Sequence, residues 1–494
     1  MESDGFDDFV TIEKEDAENM ENNDNDFLDE NIEEDDYEGT FISVSMPNPI
    51  KKVDLVKTSA IFEAKSNFSL LNSIKSMASS IYYNHFNSSD KFDLENPKYI
   101  NNTDCIIFSK KLKNRTIAQK TITSSIISNA LRTVLYMTYR NGFDNLKNIA
   151  DNGRGKSITT DCGWGCMLRS CQMMMSKGII ERKIYKFLID NQKNVTSITG
   201  DIIDRFRKET ALLFFDNSLP VELVTNNEDF KLFWKKYIDI VNNEQNLKER
   251  EKYNALLRVA PPFSIQTLCK IADCAGKWTS DFNMIKAFME INTQLFDNED
   301  GMIYINSGDI REDDIYKTFC EELKCDCKKK QSICDECLNK ILIERNIKAK
   351  SPLIFSSANK TYLFIKGGLI FISFRLGLHQ IEKEFISSIP LLLLNFKNNI
   401  GFVSGKNKKA FYFVGVGNHK LLYLDPHLNQ PSVKDNWDNL ETYVASPLYT
   451  LSAYKMSGAL SLGIVINNEL DLVDFIKSAK EQALSNPKII RVVS

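Results

Sequence analysis

The chain has 494 residues, 43% of them hydrophobic, and a formal net charge of −4. These values belong to an ordinary globular protein with room for one large catalytic domain carrying insertions, or for two domains. They exclude a membrane-spanning chain, because no run reaches about 18 apolar residues; the longest greasy stretches, such as Ile389 to Leu394, are too short. The opening Met-Glu-Ser-Asp-Gly-Phe-Asp-Asp is unlike a secretory leader, so a soluble, cytoplasmic protein is expected. The charge is unevenly spread. Residues 1–38 hold 18 Asp and Glu and one Lys, and the remainder holds 61 Lys and Arg against 48 Asp and Glu. An acidic tail therefore precedes a basic body. Such a tail solubilises, or it shields the body and recruits a partner while the body favours anionic membrane surfaces.

Residues 1–55 are acidic and Asn-rich without an apolar period, and are read as a disordered tail. Residues 56–102 are an uncertain linker with a short helix near Leu70 to Ile81. A globular domain is expected over 103–485. It begins with helical spacing over Thr121 to Tyr139, where Ile122, Ile126, Ile127, Leu131, Val134 and Leu135 recur. A glycine-containing loop at Asp151 to Lys156 leads to Thr159-Thr160-Asp161-Cys162-Gly163-Trp164-Gly165-Cys166 and a helix over Met167 to Lys177. Further helices are predicted over Thr199 to Phe215, Phe230 to Val241, Ser264 to Ala275 and Asn283 to Ile291. A charged, Cys-rich insertion spans about 308–350. Strands follow at Tyr362 to Ile365, Leu369 to Ser373, Ala410 to Val416 and Lys420 to Leu424, interrupted by a helix over Gln380 to Ser387. A strand at Ala459 to Ile466 and a helix over Leu470 to Gln482 complete the set. Helices first and strands later point to an α+β fold.

Eleven cysteines, an odd number, fit thiols, metal ligands or a nucleophile better than a disulfide framework. Cys166 stands where a glycine-rich turn meets a helix. The unpaired amides of a helix N-terminus favour the thiolate, which is the nucleophilic form. Gly163 and Gly165 permit positive φ and a close substrate approach, and the Cys166 amide faces an attacked carbonyl as an oxyanion donor. Taken alone, a buried structural cysteine explains the residue equally well. Cys162 lies outside the helix, and Cys171 sits on another side of it. The base is chosen from four histidines, His85, His379, His419 and His427. His427 has a partner: in Asp425-Pro426-His427, residues i and i+2 of an extended chain share a face, and Pro426 holds Asp425 extended. Asp425 then orients the imidazole toward a thiol. A plain turn at a strand end accounts for the tripeptide by itself; an accidental origin for both motifs together is much harder to sustain. His85 lies in a polar loop, His379 at a helix start and His419 in a hairpin turn.

Thr160-Asp161-Cys162-Gly163-Trp164-Gly165-Cys166-Met167-Leu168-Arg169-Ser170-Cys171-Gln172-Met173 resembles the nucleophile motif of the autophagins, and Tyr423-Leu424-Asp425-Pro426-His427 with Asn429-Gln430-Pro431 resembles their Asp/His motif. Tyr139-Arg140-Asn141, Pro262-Phe263-Ser264-Ile265, Gly276-Lys277-Trp278, Arg375-Leu376-Gly377-Leu378, Gly405-Lys406, Ala410 to Gly415 and Met456-Ser457 extend the likeness over about 103–480. The resemblance implies a papain-like fold with a small helical added subdomain. It implies a thiol protease that cuts after the C-terminal glycine of a GABARAP-like ubiquitin-like modifier and releases it from phosphatidylethanolamine on membranes. Cys166 would be the nucleophile, His427 the base, Asp425 its orienter, Tyr139 an oxyanion donor and Trp278 a lid over the groove. No cofactor and no nucleic acid are implied. Two departures concern gating of the groove: Thr279-Ser280-Asp281-Phe282 follows Trp278 in place of an aromatic-Gly-Pro-Ser type sequence, and Leu394 to Asn399 lacks the usual proline.

Two features fall outside the resemblance. Cys325-x-Cys327 and Cys334-x-x-Cys337 offer four thiolates for zinc, although Cys-x-Cys is a tight first pair; the reading preferred on sequence is metal-free, redox-sensitive loop cysteines. In the tail, Asp7-Asp8-Phe9-Val10-Thr11-Ile12 has the form of a segment that adds a strand to a partner's sheet, with Phe9 and Ile12 in two pockets.

Overall fold

The computed structural model describes Phe92 and residues 104–143, 145, 146, 157–191, 199–216, 261–296, 298–325, 333–344, 354–357, 360–406, 408–433, 441–444 and 448–493. The acidic tail and the helix predicted over Phe230 to Val241 lie outside them. In chain order the first half holds β1 (Cys105–Ile107), β2 (Lys110–Leu112), α1 (Ile117–Arg132), β3 (Tyr139–Asn141), α2 (Cys166–Asp190), α3 (Gly200–Ala211), α4 (Ile265–Ala272) and α5 (Asp281–Leu295). Then come β4 (Gly301–Ile305), β5 (Asp309–Arg311), α6 (Glu312–Phe319), β6 (Cys320–Leu323), α7 (Asp335–Glu344), β7 (Ile354–Ser357), β8 (Lys360–Phe364) and β9 (Gly368–Gln380). The chain closes with α8 (Ser388–Asn395), β10 (Asn399–Lys406), β11 (Lys409–Gly417), β12 (Lys420–Leu424), β13 (Asn429–Pro431), β14 (Tyr449–Leu451), β15 (Ser457–Ile466), α9 (Glu469–Ser485) and β16 (Arg491–Val493).

The main sheet runs β14-β12-β11-β10-β15-β9-β4, with β1 joined to β11 and β2 to β1. Its pairings are antiparallel except that of β4 with β9. Side chains alternate between its two faces, and both faces are apolar. Leu369, Phe371, Tyr412, Val414, Leu422 and Leu424 join one core. Ile370, Ile372, Phe411, Phe413, Leu421 and Tyr423 join another. The first core receives α2, α4 and α5 through Leu168, Leu268, Ile285 and Phe288; the second receives α6, α8 and α9 through Phe319, Leu393 and Phe475. A sheet covered on both faces explains why its strands read as near-continuous apolar runs. Phe92, in the stretch read as a linker, is buried in the first core and donates its amide to the Leu448 carbonyl at 2.8 Å.

Most predicted elements exist with shifted ends, and two differences are instructive. The helix predicted over Thr121 to Tyr139 starts at Ile117 behind a capping box of Thr116 and Gln119 and stops at Arg132. Val134 and Leu135 are buried, but in the non-helical segment that leads to β3. Buried irregular chain and helix share that apolar content, so periodicity does not separate them. No α-helix occupies Gln380 to Ser387. β9 runs on to Gln380, which pairs with Ser457, and the α-helix forms at Ser388–Asn395. There Ile389, Leu392 and Leu393 are buried, and Pro390 stands in the first turn, where a missing N–H breaks no helical bond. His379 is therefore an exposed residue of β9, while His419 does occupy the β11–β12 turn, where Asn418 and His419 both have positive φ.

Candidate active site

The turn before α2 is built around a buried acid. Asp161 is fully buried. Its carboxylate accepts from the Arg140 amide at 2.6 Å and from Arg169 Nε at 2.7 Å, and its carbonyl accepts from the amides of Trp164 and Gly165 at 3.2 and 2.9 Å. Gly165 lies so close that an added Cβ would sit 2.5 Å from Asp161 Oδ2. Gly163 has φ of +88°, a conformation glycine adopts without steric cost. Both glycines thus have structural reasons to be there, and together they deliver Cys166 as the first residue of α2.

One turn further on, Arg169 spans two elements. It bonds Asp161, reaches Asp216 Oδ1 at 3.1 Å and Oδ2 at 3.3 Å, and contacts Gln172 at 3.0 Å. Burial works to lower its pKa, and the carboxylates of Asp161 and Asp216 more than reverse this. The ion triad fixes the start of α2 against the end of the α3 segment. Sequence reasoning assigned no role to Arg169 or Asp216. The available signal was a lone Arg inside Met167-Leu168-Arg169-Ser170-Cys171-Gln172-Met173, because a charge on a buried helix demands a partner.

The base arrives on the other side. β12 ends at Leu424, and Asp425 follows, 4% exposed. Asp425 Oδ1 holds His427 twice, through the ring Nδ1 and through the backbone amide at 3.0 Å. Tyr136 fixes the same loop by donating its hydroxyl to the Asp425 carbonyl at 2.6 Å. β13 pairs in parallel with β3, placing Asn429 opposite Tyr139. The Tyr139 amide donates to the Pro426 carbonyl at 2.8 Å, and the rings of Tyr139 and His427 meet edge-on at 5.2 Å. Phe411 closes over the imidazole at 5.4 Å.

These supports bring Cys166, His427, Asp425 and Tyr139 together. Burial alone would raise the Cys166 thiol. The hydrogen bond and charge of His427, a backbone contact from Ala410 and the Tyr139 hydroxyl outweigh it, so the thiol is more acidic than usual. Burial works to lower His427 as well, but Asp425 and the Cys166 sulfur push it up to about 9. Both shifts favour a thiolate–imidazolium pair over the neutral pair. The Tyr139 hydroxyl is pushed up by burial first and then by the Cys166 and Asp161 charges, so it stays a hydrogen-bond donor. Cys171 is buried with its thiol raised well above the usual value by burial, Asp281 and Cys166, which suits packing and not attack. Cys162 packs beside Cys166 and Tyr139.

Residues 124–478 match the Peptidase C54 catalytic domain. The chain belongs to the Peptidase C54 family. Members of this family are the autophagins, cysteine peptidases with an α+β fold of the papain-like kind. Among similar proteins, "Cysteine protease atg4da" of Danio rerio is 23% identical over 361 residues, covering 72% of this chain and 67% of that protein. "Cysteine protease ATG4" of Medicago truncatula is 25% identical over 367 residues, covering 71% and 58%. "Cysteine protease ATG4A" of Oryza sativa subsp. japonica is 24% identical over 373 residues, covering 70% and 60%. The chain thus spans about three fifths to two thirds of the length of these relatives.

Trp278 lies between α4 and α5 and is 57% exposed. Phe9, Ile12 and Cys327 lie outside the described residues. Cys325, Cys334 and Cys337 converge, with their sulfurs within 4.8 Å of one another. No described helix is long and apolar enough to cross a membrane.

Proposed function

We propose that the chain is a cytoplasmic thiol protease that cuts after the C-terminal glycine of a GABARAP-like ubiquitin-like modifier, both to mature its precursor and to release it from phosphatidylethanolamine. The observation that carries the chemistry is the acidified Cys166 facing an imidazole whose other nitrogen is held by Asp425. The Cys166 sulfur attacks the glycine carbonyl carbon. Negative charge then develops on the carbonyl oxygen, where the Cys166 amide and the Tyr139 hydroxyl donate to it. His427 gives its proton to the leaving nitrogen, which belongs to a peptide or to the lipid amine, and a thioester remains on Cys166. His427, now neutral, takes a proton from water, the hydroxide attacks the thioester carbon, and the thiolate leaves.

Trp278 is proposed as the lid over a groove too narrow for side chains beyond glycine; its exposure supports that role, since a lid needs a face that the substrate can cover. The acidic tail is proposed to add a strand to the modifier through Phe9 and Ile12. An isolated 1–20 peptide is then expected to bind the modifier, and Phe9→Ala with Ile12→Ala to abolish binding; a peptide without measurable affinity leaves the tail as a solvating segment. The basic body is proposed to favour anionic autophagic membranes.

The deciding assay is cleavage of a modifier precursor carrying a reporter after its C-terminal glycine, alongside release of the modifier from liposomal phosphatidylethanolamine. Wild-type protein is expected to perform both, and Cys166→Ser to lose at least about 10⁴-fold in rate. Cleavage of a different ubiquitin-like precursor in place of this one would remove the substrate assignment and leave the protease. Binding of the modifier without any cleavage would make the protein a binding module.

A further inference from the structure

Most described cysteines are buried, but Cys325, Cys334 and Cys337 are half-exposed and gathered at one point. Cys325 follows β6 by two residues. Cys334 immediately precedes α7, and Cys337 lies in its first turn. The Cys334 carbonyl already accepts the helical bond from the Leu338 amide at 2.9 Å. The Cys325 sulfur is 3.6 Å from that of Cys334 and 3.7 Å from that of Cys337.

From these positions we propose that Cys325, Cys334 and Cys337 form a zinc site that joins α7 to β6. Zinc binds thiolates at about 2.3 Å in a tetrahedron, whose sulfur–sulfur edge is about 3.8 Å by the same geometry. Two of the three separations match that edge, and the third lies within 4.8 Å. Binding releases the three thiol protons to solvent, and the ion's two charges leave the three-thiolate site with one net negative charge.

The packing of α7 gives an independent reason. None of its side chains whose burial is described is buried, and Ile343 is 79% exposed. A helix of 10 residues is marginal in water without tertiary support. β6 is anchored, by contrast: Cys320 and Leu323 are 5% exposed, and β6 pairs along its length with β8. Thiolate–metal bonds tie the weakly buried element to the anchored one, as structural zinc does in segments with too small a core. The pair Cys269 and Cys274 shows the contrast. Their sulfurs are 3.7 Å apart, but both are buried and no third ligand joins them among the described residues.

The test uses the full-length chain, expressed with added zinc, purified under reductant and analysed for metal. One zinc per chain is expected, falling to background in Cys334→Ser and in Cys337→Ser while Cys320→Ser keeps it. Cobalt(II) added to the demetallated chain should give a thiolate-to-metal charge-transfer band that both Ser variants lack. A Cys327→Ser variant reads the fourth position: a weakened charge-transfer band means a fourth thiolate, and an unchanged band means water there, and either result supports the three-thiolate site. Should the Ser variants fail to fold, hydrogen exchange of the wild type decides: residues 333–344 should lose protection on chelation and regain it with zinc. Wild-type protein that holds no zinc and takes up no cobalt overturns the proposal. So does zinc retained by Cys334→Ser, or a metal-free chain in which Cys325 is disulfide-bonded to Cys334 or Cys337.

Discussion

Cys166 and Cys334 both stand at the start of a helix, yet the two helices are held in opposite ways. α2 is embedded: Leu168, Arg169, Cys171, Met173 and Met174 are all buried, and its first turn is fixed by an ion triad. α7 buries none of its described side chains. The chemistry of each sulfur follows. A buried thiol is raised by desolvation, so a reactive one needs a cation beside it, and His427 supplies that charge to Cys166. A half-exposed cluster of thiols has no core to rely on and answers to an ion. On the proposed roles, reactivity belongs to the helix the core holds, and ion capture to the helix it does not.

Removing the buried cation should break the first half of that comparison most severely. Arg169→Met leaves Asp161 and Asp216 buried without their partner, a cost of about 3–5 kcal/mol, measurable by denaturant unfolding. A loss below about 1 kcal/mol would mean that the apolar face of α2, and not the triad, fixes the nucleophile turn. Next in size, Tyr139→Phe keeps the edge-on ring against His427 and removes only the hydroxyl. We expect kcat to fall about 10²- to 10³-fold with little change in folding stability. An unchanged kcat would take Tyr139 out of the oxyanion site.

The pH profile sharpens the same contrast. Cleavage should rise as the Cys166 thiol ionises, at a pH below the ordinary thiol value, and fall as pH passes about 9, where His427 loses the proton the leaving group needs. The stability term has a definite sign. The folded pKa of His427 lies above the unfolded value of about 6.5, so its contribution is complete below that pH and is lost as pH rises toward about 9. Calorimetry of His427→Asn against wild type across this window checks it; parallel curves would contradict the ion pair. The smallest effect belongs to α7. Ile343→Asp should change stability by no more than about 0.5 kcal/mol, since the side chain is 79% exposed. A larger loss would show that apolar packing, and not the thiol cluster, holds this helix.

The candidate site was readable where local chemistry is dense. Cys166 after two glycines, and Asp425-Pro426-His427 at a strand end, stand out as candidates within a few residues, and the structure brings them together. Arg169 and Asp216 stayed silent because their partners are remote in sequence: a lone charge in an apolar run signals a need and does not name who meets it. The fold was readable in kind but not in boundary. The end of α1 and the length of β9 depend on which apolar residues find a face. The strand β9 carries on to Gln380 because β15 offers it a partner there, and no local pattern in residues 374–380 announces that pairing.

Composition and short-range spacing by themselves pointed to an acidic tail, an α+β domain and a candidate Cys/His/Asp set whose base is chosen from four histidines. Those are local quantities: charge per segment, period along an element, and the i, i+2 face of an extended chain. Tertiary structure alone decided that Tyr139 meets His427 through the β3–β13 pairing, that Arg169 joins Asp161 to Asp216, and that three of the cysteines in the insertion converge beside a helix that fully buries none of its described side chains. The reason is physical. Thiol acidity, ion-pair strength and ligand geometry depend on distances of a few ångströms between residues far apart in the chain, and only the packed sheet with its two cores sets those distances.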